Sequence, residues 1–117
     1  MLAYSPLAFG HLSGKYLADP NTKGRITQFP GFGQRYAKPN VPVASSEYVR
    51  IAKAAGLTPA TMALAFVRTR RFTDSVIIGA TNPAQLKENL DSAGVVLSAE
   101  VLERIEQVHG IYPNPAP

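Results

Sequence analysis

Two short apolar runs, "MLAYS" at residues 1–5 and "SVIIGA" at residues 75–80, lie on either side of a helix-forming stretch. That order constrains the fold more than any other feature. A strand, helices and a second strand argue for parallel pairing, because parallel neighbours need a long crossover, and the crossover is right-handed. The second run is β-branched, as expected for a strand buried on both faces. A parallel sheet must have both faces and both edges covered, which two strands cannot do alone. The fold class expected is α/β, with further strands supplied from elsewhere or the chain being a piece of something larger.

Helix signals are dense after residue 44. One helix is expected from Ser45 or Ser46 to about Ala55, with Gly56 just past its end. Thr58 reads as the N-cap of the next, with Pro59 at the first helical position and a Leu57–Met62 staple. Arg68, Arg70 and Arg71 suit the negative end of its dipole. Asn82 caps a third helix, with Pro83 at its first position and Gln85 two further on; Leu86, Leu90 and Ala93 are spaced to bury one face, and Gly94 stops it. Ser98 caps a fourth, with a Leu97–Leu102 staple and Gly110 as its end. Residues 6–44 hold five Gly and five Pro and read as one long irregular segment.

The 117 residues suffice for one domain with a core, and 45% hydrophobic against 17% charged residues argues against disorder. Cysteine is absent, which excludes disulfides and thiolate metal sites and is compatible with the cytoplasmic location expected. The N-terminus lacks the basic n-region of a secretory signal. No apolar run approaches the roughly 18 residues that span a bilayer, so no membrane partner is expected. Charge is uneven: residues 1–71 carry ten Lys/Arg and two Asp/Glu, whereas residues 72–117 carry two and six. Such asymmetry suits either an anionic ligand or scattered surface charge. The basic residues are not interleaved with aromatics in a nucleic-acid module, and no nucleic-acid partner is expected.

Several motifs fail on inspection. "GHLSGKY", residues 10–16, has three residues between its glycines where a P-loop needs four, and Tyr follows the Lys. "GFGQRY", residues 31–36, lacks the third glycine of a dinucleotide fingerprint. His11 and His109 have no paired acid nearby in sequence and read as surface or cap residues. The acids of residues 100–106 read as a solvated helix face, and no metal-ligand cluster is expected.

"LAYSPLAFGHLSGKY", "TPATMALAFVR", "SVIIGATNPAQLKENL" and "LSAEVLERIEQVH" together resemble, in order and spacing, the C-terminal part of aldo-keto reductases. The resemblance is nearest to the Tas-like and potassium-channel β-subunit branches. It implies a (β/α)8 TIM barrel in which "MLAYS" is the seventh strand, "SVIIG" the eighth, and the last helix an extra element outside the barrel. Residues 1–117 would then be the C-terminal fragment of that domain. Barrel active sites lie at the C-terminal ends of the strands.

The resemblance also implies a cofactor, NADPH, and a carbonyl substrate for the intact barrel. Ser5, Pro6 and Leu7 match the segment that lines the pyrophosphate and ribose. Lys15 matches a lysine near the cofactor phosphates, and Arg25 an arginine of the same loop. Gly79, Ala80 and Thr81 match the turn that meets the 2′-phosphate. Gln85, Glu88 and Asn89 match residues facing the adenosine. Their i, i+3, i+4 spacing would present all three on one helical face, and a helix N-terminus suits a phosphate. Many family members carry basic residues where Gly79 and Gln85 stand here.

The family's catalytic Asp, Tyr, Lys and His come from earlier strands, so the resemblance implies no catalytic residue in this chain. The chain alone is expected to be inactive and to associate with itself or with a partner covering the open barrel edge. Alternatives are a non-catalytic cofactor-binding or regulatory module, as in channel β-subunits, or an inactive truncated remnant.

Overall fold

A computed structural model describes residues 1–116. Strands β1 (Leu2–Ala3) and β2 (Ser75–Val76) pair in parallel, Leu2 opposite Ser75 and Ala3 opposite Val76. Parallel pairing is as expected, but each strand is only two residues long. Nor is the second buried on both faces: Ser75 is exposed, Val76 only half-buried, and Ile77 just after it 52% exposed. Among the described residues no third strand adjoins the pair, so the ladder ends where its few rungs end.

Among the described residues six α-helices accompany the strands: α1 (Lys15–Ala18), α2 (Arg25–Gln28), α3 (Asn40–Ala54), α4 (Pro59–Arg68), α5 (Pro83–Asp91) and α6 (Ala99–Ile111). The core lies between α3, α4 and α6. Ile51, Ala52, Met62, Ala65, Leu97, Val101, Ile105 and Val108 form one buried cluster. Each large side chain in it contributes about 1.5–3 kcal/mol by leaving water. Residues of both expected staples feed this cluster: Met62 and Leu97 are buried in it, and Leu57 and Leu102 pack against it. The caps are present: Thr61 N–H donates to Thr58 Oγ1 at 3.1 Å, Gln85 N–H to Asn82 Oδ1 at 2.9 Å and Val101 N–H to Ser98 Oγ at 3.2 Å. Gly56 closes α3 at φ 71°, while Leu57 N–H reaches back to the Ala52 carbonyl at 2.9 Å.

Four expectations are corrected. First, α3 starts at Asn40 rather than Ser45, burying Val41 and Ala44. Pro42 is tolerated because it falls in the first turn, where amides have no intrahelical partner. Second, residues 6–39 are not irregular throughout; they hold α1, α2 and 3-10 turns at Ala8–Ser13 and Gln34–Tyr36. Third, the apolar face of α5 is open. Leu90 is 58% exposed, Leu86 and Ala93 are also exposed, and the residues that α5 and the 3-10 turn after it (Ser92–Gly94) bury are Asn89 and Ser92. Fourth, Gly94 belongs to that turn, and Gly110 lies inside α6. Neither takes a left-handed φ, so neither acts as a helix-ending glycine.

Arg68 does more than meet a dipole. Its guanidinium donates to the carbonyls of Ser92, Ala93 (2.7 Å) and Val95 (3.1 Å). It thereby satisfies acceptors left over where the helix path ends.

Candidate functional site

Parallel register places the exits of β1 and β2 on the same end of the pair. Ile77 N–H extends the ladder to the Ala3 carbonyl at 2.7 Å, and beyond it the chain leaves through Ser5 on one side and Gly79 on the other. The first exit is conformationally strained. Ser5, Ala8 and Phe9 all hold positive φ, at 53°, 48° and 56°. Non-glycine residues avoid this region, and its cost of order 1–3 kcal/mol persists only where surrounding contacts impose it. Backbone bonds supply some of them: Ala8 N–H donates to the Ser5 carbonyl, and Gly10 N–H and Leu12 N–H both donate to the Leu7 carbonyl. Ser5, Pro6 and Leu7 are half-buried in this turn.

The following loop carries the two expected cations. Lys15 Nζ lies 4.9 Å from the centroid of the Tyr16 ring. The Arg25 guanidinium lies 5.8 Å from the Phe9 ring and 5.7 Å from the Phe32 ring. Gly24 joins the two halves: a Cβ there would stand 2.8 Å from Lys15 Nζ and 2.2 Å from the Tyr16 hydroxyl. Lys15 therefore packs against the residue just before Arg25. Neither cation has a carboxylate partner among the described residues.

The second exit is open. Gly79, Ala80 and Thr81 are exposed, and a Cβ on Gly79 would meet nothing within 4 Å. The polar residues of α5 each have an internal partner. Gln85 Oε1 accepts from both the backbone N–H and the hydroxyl of Thr81, each at 2.9 Å. The Glu88 carboxylate accepts from the Thr58 hydroxyl at the start of α4. Asn89, 6% exposed, donates from Nδ2 to the Gly79 carbonyl at 3.0 Å. Asn89 thus ties α5 to the strand exit, and Glu88 ties it to α4.

Sequence reasoning did not anticipate a cleft of about 620 Å³ between the β1 exit, α4 and α6. Tyr4, Ser5 and Pro6 line one side, Met62 and Phe66 the floor, and Ile105 the other side. Glu106 and His109, one turn apart on α6, reach its rim, where Glu106 pairs with Arg70 at 2.7 Å and Arg70 stacks 4.0 Å over Phe66. Burial, and then Glu106, push the Tyr48 hydroxyl above its usual pKa. The i, i+3 spacing of Glu106 and His109 is the signal that could have drawn notice. Glu106 is exposed, as expected of the acids of residues 100–106, but it also pairs with Arg70 just beyond the end of α4. His109 is exposed as expected, but His11 is half-buried between Tyr16 (5.4 Å) and Tyr36 (5.5 Å), and burial lowers its pKa.

Among the described residues no group of three or more His, Asp or Glu side chains could hold a metal ion, and no helix is long and apolar enough to cross a membrane.

The Aldo/keto reductase family is matched over residues 1–109, and the chain belongs to that family. Protein tas of Escherichia coli (strain K12) is 48% identical over 118 residues, covering all of this chain but 34% of that protein. An aldo-keto reductase of Babesia bovis is 39% identical over 120 residues, covering 98% of this chain and 42% of its own length. A probable voltage-gated potassium channel subunit beta of Arabidopsis thaliana is 32% identical over 113 residues, covering 92% and 34%. The chain thus spans well under half the length of these relatives.

Proposed function

We propose that residues 1–117 are the C-terminal portion of an aldo-keto reductase barrel, contributing its seventh and eighth strands and part of its NADPH cradle. The intact protein would reduce aldehydes or ketones to alcohols in the cytoplasm. The observation that carries this reading is the shared exit of the two parallel strands. One exit leads into a strained loop bearing two cations with no carboxylate partner, the other into an open glycine turn and a capped helix N-terminus. These features fit an anionic dinucleotide. Lys15 and Arg25 would meet its phosphates. The turn Gly79–Thr81 and the start of α5 would receive the 2′-phosphate, with Ser5, Pro6 and Leu7 beside the pyrophosphate. Gln85, Glu88 and Asn89 would support the adenosine end. Glu88 and Asn89 would act there largely by holding α5 against α4 and the Gly79 carbonyl.

Bound NADPH would supply a hydride; this chain's residues hold and orient, and none is assigned to proton transfer. The reading predicts that the purified chain quenches or shifts NADPH fluorescence without consuming it on adding an aromatic aldehyde. Lys15→Ala and Arg25→Ala should each weaken that binding, most at low salt. Unchanged affinity in both variants would remove the loop from the cradle, and aldehyde turnover by the chain alone would overturn the partial-barrel reading.

A second reading is favoured by the likeness to channel β-subunits: a cofactor-linked partner module without turnover. The exposed Leu2, Tyr4, Ile77 and Leu90 support association with further barrel strands or another copy.

A further inference from the structure

Arg25 is held by aromatic rings rather than by an acid. Its guanidinium lies within 6 Å of two ring centroids, those of Phe9 and Phe32, and these rings stand 4.9 Å apart at 31°. Tyr36 meets Phe9 edge-on at 5.3 Å and 73°. Phe9 reaches this place only by taking φ 56°, a conformation that aromatic residues rarely adopt. Gly33 makes room for it, because a Cβ there would come 3.0 Å from the Phe9 ring and 3.2 Å from Ile26. On the other side Gly24 lets Lys15 and Tyr16 close against the backbone. The result is one loop that carries two cations, each set against an aromatic ring and neither with a carboxylate partner among the described residues. An aromatic face can hold a cation in place while leaving its charge available to an anion, which a carboxylate partner would neutralise.

Resting on the cofactor reading above, we infer that Phe9 and Phe32 are positioning residues: an aromatic clasp that holds Arg25 in place, so that the loop it shares with Lys15 is organised for a phosphate-bearing ligand before the ligand arrives. Preorganisation of this kind raises affinity by removing ordering cost, without adding a contact. Phe9 and Phe32 themselves need not touch the ligand.

The test has two readouts on the 117-residue chain. The first is limited tryptic cleavage after Arg25, normalised to cleavage after Arg71, which is exposed and outside the loop. Phe32→Leu removes the aromatic face from a half-exposed position without threatening the core; Phe32→Tyr keeps the face. Cleavage after Arg25 should rise about two- to fivefold in Phe32→Leu, the range expected for an exposed cation–aromatic contact, and stay at the parent rate in Phe32→Tyr. The second readout is NADP+ affinity by fluorescence titration. Phe32→Leu should weaken it by a similar factor, and should add nothing in an Arg25→Ala background, where the residue it positions is gone. Equal cleavage after Arg25 in the parent and Phe32→Leu refutes the clasp whatever NADP+ does. Equal loss of protection in Phe32→Tyr and Phe32→Leu refutes its cation–aromatic basis. Faster cleavage in Phe32→Leu, with NADP+ affinity insensitive to Lys15→Ala and Arg25→Ala, upholds the clasp and removes the cofactor role on which the proposed function relies.

Discussion

The α3–α4–α6 trio and the β1–β2–α5 region contain similar kinds of residues but end in different states. The trio buries Ile51, Met62, Leu97, Val101 and Ile105 in one cluster. The other region leaves Leu2, Ile77, Leu86 and Leu90 in solvent. A helix satisfies its own backbone, so three helices can make a core from one apolar stripe each. A strand has its backbone partners on neighbouring strands, and a two-stranded parallel pair leaves an edge on each side unpaired. The helical part therefore completes a core, whereas the strand part leaves apolar residues and strand edges uncovered among the described residues.

This contrast can be broken most sharply by paired substitutions. Met62→Ala should destabilise the chain by about 2–5 kcal/mol. Leu90→Ala on the open face of α5 should stay within about 0.5 kcal/mol. Chemical denaturation reads both, and similar costs at the two sites would erase the distinction. A smaller effect separates the caps. Thr58→Ala should cost about 1 kcal/mol of global stability, since α4 carries the core and Thr58 also holds Glu88. Asn82→Ala should show mainly as faster amide exchange in the first turn of α5, with less change in the global midpoint. The smallest effect concerns the loop. Burial of His11 lowers its pKa below the ordinary 6.5, so the packed loop favours the neutral imidazole. That contribution is complete above pH 6.5 and is lost as pH falls through the lowered value. Tryptic cleavage after Lys15 should rise with acidification below that point, and His11→Phe should flatten the profile.

Much of the helical part was legible because its signals are local. Thr58, Asn82 and Ser98 cap within three residues of themselves, and Gly56 ends α3 through its own φ and a bond back to Ala52. What was not legible depends on distant partners. Arg68 could be placed at a helix end, but not on the carbonyls of Ser92, Ala93 and Val95, 24 to 27 residues away. Leu86 and Leu90 have the spacing of a buried face, yet spacing says only that a face is apolar, not that anything covers it. Gln85, Glu88 and Asn89 share a helical face by spacing, but the structure gives each its own partner, from Thr81, Thr58 and Gly79.

The sequence by itself determined the parallel order of its two strands, the N-caps of α4, α5 and α6 and its membership of a family, because each rests on short-range chemistry or on motifs in order. Tertiary structure alone decided which apolar residues are buried, which acids are paired, and that Phe9 and Phe32 enclose Arg25. Those outcomes depend on which surfaces meet, and contact between residues far apart in the chain is a property of the packed molecule rather than of any local stretch.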